Sequence, residues 1–337
     1  ENQTDLSGEF WLTVSADYSF GYLVKDSGRI EKSQTGVMMP FNEKTVQAHQ
    51  VRKANYIPIH LQPLEKATLF IKNQFPGGNP PLTEINLIET PQAAAFNYLK
   101  EKEAVSFHNG FFQALMLILM LYCLFYAVYS VEKFAYTLAG YCLFMGLYFL
   151  TVDQYFYQLG WTSNTPHLVN ILGLNMVNLS IVFELLFMIQ FLNLKTRLPF
   201  WNSVFKGMFY LGIFIIISVS SYYLLSKNQS AAVKYISLYQ LAFVLLRPFY
   251  LVKFWQIENV KIRIYAVAGT VVFLITIIAW VAYYVFANLI GLLLLKYAVA
   301  IYVAIILISL SYNAAKIGRE KLKLEKEAVR QQLLRKE

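Results

Sequence analysis

The ionisable side chains that could support chemistry in this sequence are few, and the two most informative lie deep inside long apolar runs. Glu184 lies in the run over residues 166–193, and Arg247 lies in the run over residues 232–254. A charged side chain in such surroundings is costly unless it has a partner. Because the two residues lie at similar depths, we expect an ion pair between Glu184 and Arg247, either static or acting as a switch. The alternative is that each finds water or backbone separately.

A second group of polar side chains lies in the first half of the run over residues 166–193. It comprises His167, Asn170, Asn175 and Asn178, of which His167 and Asn178 project on the same side of a helix that turns about 100° per residue. Two uses stay open: a polar funnel whose ligand contacts are His167, Asn170 and Asn178, or hydrogen bonds between helices. One histidine without acidic neighbours does not make a metal site, so we expect neither a metal nor a cofactor.

Three aromatic side chains near the start of the chain, Trp11, Tyr18 and Tyr22, could stack on a sugar ring or fill a small β-sheet core.

Lys296 raises the question of a retinal Schiff base, which needs a carboxylate at similar depth. Glu184 lies toward the opposite end, so we expect Lys296 to reach the outer interface instead. No nucleophile–base pair, phosphate loop or carboxylate pair stands out in the sequence, and we predict that this chain is not an enzyme.

The composition indicates which elements must position these residues. The 337 residues are 57% hydrophobic and only 15% charged, with a mean hydropathy of +0.45, whereas a soluble domain is about 25% charged. Such a chain cannot bury its apolar side chains in one soluble core, which indicates a membrane protein. Residues 1–106 carry a net charge of −2 and residues 107–337 carry +11. A basic excess inside a hydrophobic chain favours cytoplasmic loops over nucleic-acid binding.

Seven apolar runs approach or exceed the roughly 20 residues that a membrane-crossing helix needs. They predict transmembrane helices at about 107–130, 134–153, 166–193, 203–225, 232–254, 263–287 and 289–314. Cations lie unevenly in the connections, with Lys133, Lys195, Arg197, Lys206, Lys253, Lys261 and Arg263 on one side against Lys227 and Lys234 on the other. Since the positive side faces the cytoplasm, the N-terminal segment is predicted outside and the C-terminus inside.

Residues 1–92 have a different pattern, in which short β-rich runs alternate with turn signals. Strands predicted at residues 10–14, 20–24, 46–51, 57–61, 68–72 and 85–89 favour an all-β sandwich outside the membrane. Its first strands are expected to lie upstream of Glu1. Residues 93–106 are predicted to form a linker helix that leads into the seven-helix region at 107–314.

Residues 315–337 follow the last apolar run as a charged segment without proline. Apolar residues recur there at mixed spacings of seven and eleven, which is a weak coiled-coil pattern. We expect a cytoplasmic helix that joins two copies of the chain as a homodimer and leads to a further domain beyond this sequence. The alternative is a single helix that interacts with anionic lipid.

Three stretches resemble one family, the bacterial seven-transmembrane receptors with diverse intracellular signalling modules. The segment from Gly21 to Phe41 is similar to later strands of that family's extracellular jelly roll. Leu121-Tyr122 and Phe125, with Tyr136 and Tyr141, are similar to its opening helices. The segment from Phe183 to Pro199 is similar to its third helix and inner loop. The resemblance covers about residues 10–315. It implies a carbohydrate-binding-like jelly roll and a variable output: a histidine kinase, diguanylate cyclase, adenylate cyclase or phosphatase.

These features predict a multidomain membrane protein: an all-β jelly-roll-like extracellular domain, a seven-helix transmembrane bundle and a coiled-coil-like signalling helix. It would be a receptor of the bacterial inner membrane that senses an external small molecule or glycan and relays the event to an output enzyme absent from this chain. The expected partners are the lipid bilayer, that ligand and a second copy, without nucleic acid. The alternative is a transporter or channel with an external substrate-recruiting domain, which lacks support from repeat symmetry.

Overall fold

The structure of the protein is a computed structural model. It describes residues 2–3, 7–14, 16–47, 55–75, 86–130, 132–153, 155–158, 162–226, 229–285, 293–308, 310–311 and 327. The chain divides into two compact units. One comprises Glu1–Phe111, Met145–Leu179 and Gly212–Gln240, and the other comprises Phe112–Phe144, Ser180–Leu211 and Leu241–Glu337.

The part of residues 1–90 that the structure describes contains six β-strands in two antiparallel sheets. They are β1 Gly8–Thr13, β2 Tyr18–Lys25, β3 Ile30–Thr35, β4 Tyr56–Leu61, β5 Ala67–Gln74 and β6 Asn86–Glu89. One sheet has the order β4-β1-β6 and the other β3-β2-β5. Apolar side chains of both sheets form one core around Leu12, Leu23, Ile57 and Ile59. The structure therefore shows a small N-terminal sheet domain, and the jelly roll, a fold of eight strands, stays a prediction.

Two strand predictions differ from the structure. β3 was not predicted, because its sequence Ile-Glu-Lys-Ser-Gln-Thr is almost wholly polar. It forms because it pairs along its whole length with β2 across a turn in which Gly28 takes a φ of +78°, a conformation that favours glycine. The strand predicted at residues 46–51 is not seen at 46–47, and the rest of that run lies outside the described residues.

From residue 91 onward, most of the described residues are helical. The helices are α1 Pro91–Ser130, α2 Lys133–Val152, α3 Pro166–Phe191, the single turn α4 Leu194–Arg197, α5 Pro199–Ser226, α6 Gln229–Trp255, α7 Val260–Val285 and the shorter α8 Leu293–Ile308. Six of them, all except α4 and α8, are long and apolar enough to cross a membrane. They match the first six predicted crossings. The predicted seventh corresponds to α8, whose flanking residues 286–292 lie outside the description.

Two features of the helices bear on function. The linker helix predicted at 93–106 is the first part of α1, which continues without a break into the first membrane span. More than half of the α3 span is buried (56%), against 17% of the α5 span. Because α3 is covered on most sides, its polar side chains must find partners within the protein.

Candidate functional site

A chain of hydrogen bonds joins the β-sheet domain to the first turn of α3. The hydroxyl of Tyr18, the first residue of β2, lies 3.1 Å from Nε2 of His167. The other ring nitrogen, Nδ1, lies 3.0 Å from the hydroxyl of Tyr223 on α5, which also accepts a bond from Nδ2 of Asn170 at 3.1 Å. A neutral imidazole has one donor and one acceptor, so one phenol donates to the ring and the other accepts from it. Burial raises the pKa of Tyr18, which therefore remains a protonated phenol.

Two backbone amides strengthen this junction. The amide of Phe41 donates to the carbonyl oxygen of Ser163 at 3.1 Å, and the amide of Asn42 donates to Oδ1 of Asn164 at 3.1 Å. Phe41 begins a short 3₁₀ turn in the β-sheet domain, while Ser163 and Asn164 lie three and two residues before Pro166, where α3 begins. Together with Tyr18, these contacts give the β-sheet domain three hydrogen bonds to the segment that starts α3.

Further along α3, two asparagines face partners on α5 and α6. Asn175 Nδ2 donates to Oγ of Ser220 at 2.8 Å, and Gln240 Nε2 donates to Oδ1 of Asn178 at 3.2 Å. Within the described residues, Oδ1 of Asn175 and Nδ2 of Asn178 are buried and have no hydrogen-bond partner in the protein. Buried amide atoms of this kind usually bind an ordered water or a polar ligand. The structure thus places His167 and Asn170 around Tyr223, whereas Asn178 belongs to a separate contact.

The three aromatic residues predicted as a sugar platform have different surroundings. Trp11 is only 8% exposed and packs on Tyr56, with ring centroids 5.0 Å apart. Tyr18 bonds to His167 as described. Tyr22 is half-buried on β2 and lies directly opposite Phe70 of β5, whose side chain is 59% exposed. Phe70 was not singled out from the sequence, although the alternating pattern of β5 places it on the same face as Thr68 and Lys72.

A buried carboxylate lies at the centre of a second polar cluster, in the other compact unit. Arg247 Nη2 on α6 lies 2.8 Å from Oε1 of Glu184 on α3, and the two form a salt bridge. The hydroxyls of Tyr265 on α7 and Tyr302 on α8 donate to the same oxygen at 3.3 and 3.1 Å. Arg247 Nε also donates to the hydroxyl of Tyr250 at 3.1 Å. One carboxylate oxygen therefore links four helices.

The two tyrosines that bind Glu184 were missed from the sequence, because tyrosine is common in membrane helices and only packing shows which face meets the carboxylate. The expectation for Lys296 was wrong: its side chain is 2% exposed and lies inside the protein rather than at an exposed end. Residues 315–337, apart from residue 327, lie outside the described chain.

An N-terminal sheet domain followed by apolar helices of membrane-spanning length defines a membrane protein. Residues 106–314, more than half of the chain, match the family model described as 7TM diverse intracellular signalling, and the chain belongs to that family. No curated protein and no solved structure matches the chain. Membership assigns it to the transmembrane sensory receptors, whose seven-helix region is not itself catalytic.

Proposed function

We propose that this chain is the sensing and transmembrane part of a receptor whose β-sheet domain binds a ligand outside the bacterial inner membrane. The three hydrogen bonds from Tyr18, Phe41 and Asn42 to the start of α3 carry this proposal. A ligand that favours one position of the β-sheet domain favours the α3 conformation that keeps those bonds. Such differential binding is the physical basis of a signal.

A glycan is the ligand that best fits the exposed face of the β3-β2-β5 sheet. Tyr22 lies between Phe70 on one neighbouring strand and Lys32 on the other. Phe70 and Lys32 are exposed and Lys72 lies two residues further along β5. Aromatic faces stack on the apolar faces of sugar rings, and the lysines supply hydrogen-bond donors to hydroxyl or carboxylate groups. Two lysines on this face favour a glycan with acidic groups.

The ligand surface can be tested with the full chain in lipid nanodiscs. A panel of neutral and uronic-acid oligosaccharides is screened for an increase in the unfolding temperature, and any active compound is then titrated. We expect Phe70→Ala to weaken binding about tenfold, because one stacking aromatic contributes on the order of 1–1.5 kcal/mol. Ile30→Ala is the matched control, since Ile30 is similarly exposed (56%) on the same sheet but has no ring. Equal loss in both variants, or no response to any sugar, contradicts a glycan platform.

The output is proposed to pass through a homodimer formed by residues 315–337. Leu322 and Val329 are seven residues apart and occupy one side of the expected seam, whereas Lys323 does not. Single cysteines at 322 or 329 are expected to form disulfide-linked dimers in nanodiscs under mild oxidation, in a background in which Cys123 and Cys142 are replaced by alanine. Lys323→Cys is the control. Crosslinking that is equal at all three positions argues against a defined dimer seam.

A further inference from the structure

A cavity of about 420 Å³ lies where the segment after α3 approaches the start of α7. We call it the inner cavity, and the residues that define its chemistry are Asn193, Arg197, Glu258, Asn259, Val260 and Lys261. All belong to one compact unit. The connections that form it carry the cations that predict the cytoplasmic side of the membrane, so the cavity lies at the level of the inner lipid headgroups under the proposed orientation.

Two cationic side chains and a helix start face this cavity. Arg197 ends α4 and is exposed, and Lys261 lies in the first turn of α7. The Lys261 ammonium lies 5.6 Å from the centre of the Phe191 ring and 5.9 Å from that of Phe134, contacts that hold it near the cavity wall. The inner cavity therefore presents two positive charges from separate segments of the chain.

The start of α7 adds hydrogen-bond donors to these charges. The first amides of a helix have no acceptor within that helix, and its N-terminus carries a partial positive charge. Asn259 Oδ1 accepts the bond from the amide of Ile262 at 3.3 Å. This cap engages the amide of Ile262, whereas Val260 and Lys261, the two residues before it in the first turn, line the inner cavity. Amides at such a helix start are the donors that commonly bind anions.

We propose that the inner cavity binds a phosphate-bearing anion, and that the headgroup of an anionic phospholipid such as phosphatidylglycerol supplies it. A phosphodiester fits two cations and a helix start, since it accepts bonds from all three at once. Glu258, the only acidic side chain that lines the cavity, would repel a bare phosphate but accepts a hydrogen bond from a glycerol hydroxyl. This combination favours a headgroup that carries hydroxyls beside its phosphate. The site is independent of the external ligand.

The test uses the full chain extracted in a mild detergent from vesicles of equal parts phosphatidylcholine and phosphatidylglycerol, with retained lipid counted by native mass spectrometry. We expect preferential retention of phosphatidylglycerol. Arg197→Gln combined with Lys261→Gln should reduce that retention about tenfold or more, as expected for the loss of charge-assisted hydrogen bonds. Lys195→Gln combined with Lys206→Gln is the matched control, because both lysines are exposed cations of the predicted cytoplasmic side and neither lines the cavity. We expect it to stay within about twofold of the wild type, a difference of about 0.4 kcal/mol.

Three further measurements separate the possible results. Lys261→Arg keeps the charge and should keep lipid retention, and an unchanged unfolding temperature of the double glutamine variant shows that its loss of lipid is not unfolding. Glu258→Gln should strengthen competition by inorganic phosphate and reduce the preference for phosphatidylglycerol over phosphatidic acid. If inorganic phosphate or glycerol 3-phosphate binds with the same Arg197 and Lys261 dependence while phosphatidylglycerol is not preferred, a soluble phosphate is the occupant and the lipid assignment is overturned. Equal loss in the control pair, or binding of neither anion, overturns the site itself.

Discussion

The hydroxyl of Tyr18 lies 3.1 Å from Nε2 of His167, and this contact ties the first residue of a strand to the first turn of α3, the most buried of the six described membrane spans. A single hydrogen bond contributes about 1 kcal/mol, which shifts a two-state equilibrium about fivefold. The bond is therefore strong enough to transmit a preference and weak enough to be broken by a ligand. It offers a direct physical connection between the β-sheet domain and α3.

Removing that bond gives the first prediction. Tyr18→Phe deletes the hydroxyl and keeps the ring, so the β-sheet domain should stay folded while the start of α3 loosens. We expect amide hydrogen exchange at residues 167–170 to become about fivefold faster, from the loss of about 1 kcal/mol. Tyr22→Phe is the control, because Tyr22 lies on the same strand but its hydroxyl does not bond to His167. Similar acceleration in both variants would show that any change on β2 has this effect, and that it is not specific to the bond between Tyr18 and His167.

The second prediction concerns Glu184 and Arg247. Glu184→Gln leaves the Arg247 guanidinium buried beside neutral groups, and breaking a buried pair in this way costs about 3–5 kcal/mol. The swap Glu184→Arg with Arg247→Glu should recover at least half of that loss, because the hydroxyls of Tyr265 and Tyr302 can accept bonds as well as donate them. Thermal unfolding in nanodiscs measures both. A swap that folds no better than Glu184→Arg alone or Arg247→Glu alone would mean that the two charges act separately.

These two sites show what the sequence can and cannot specify. The depth of Glu184 and Arg247 could be predicted, since hydropathy fixes where each helix enters and leaves the bilayer. The approach of Tyr302 to the same oxygen could not, because it depends on how α8 is rotated within the bundle. Prediction of the β-strands has a similar limit. The alternation of side chains along a strand shows that Trp11 and Leu12 face opposite sides of the sheet. It does not show that Tyr56 covers Trp11 while Tyr22 stays half-exposed.

A close helix contact gives the third prediction. A Cβ atom added at Gly140 on α2 would lie 2.2 Å from a ring atom of Phe183 on α3, nearer than real atoms approach. Gly140→Val should therefore lower the free energy of unfolding by at least about 1–3 kcal/mol, the usual cost of overpacking a well-filled interior. Gly110→Ala is the control, since a Cβ there meets nothing within 4 Å and alanine stabilises a helix relative to glycine. If Phe183→Ala does not rescue Gly140→Val, the contact is not the cause.

The last prediction concerns Lys44, which is buried in the β-sheet domain with its ammonium 2.7 Å from Oδ1 of Asn55. Burial lowers the pKa of Lys44 from 10.5 to about 8. Between those values the unfolded chain binds more protons than the folded one, so the free energy of unfolding rises with pH. From pH 7.5 to 9.5 the gain should be about 2 kcal/mol.

Lys44→Met should abolish this rise, and Lys72→Met, which removes an exposed lysine from the same domain, should preserve it. Pulse proteolysis of the full chain, with detection of N-terminal fragments, follows unfolding of the β-sheet domain at each pH. Lys44→Met also removes the hydrogen-bond donor of Asn55, so the absolute stability of the variant is not the readout. The readout is the slope of the free energy of unfolding against pH. A Lys44→Met chain that gains stability with pH as steeply as the wild type would show that Lys44 titrates normally and that its burial costs the fold nothing.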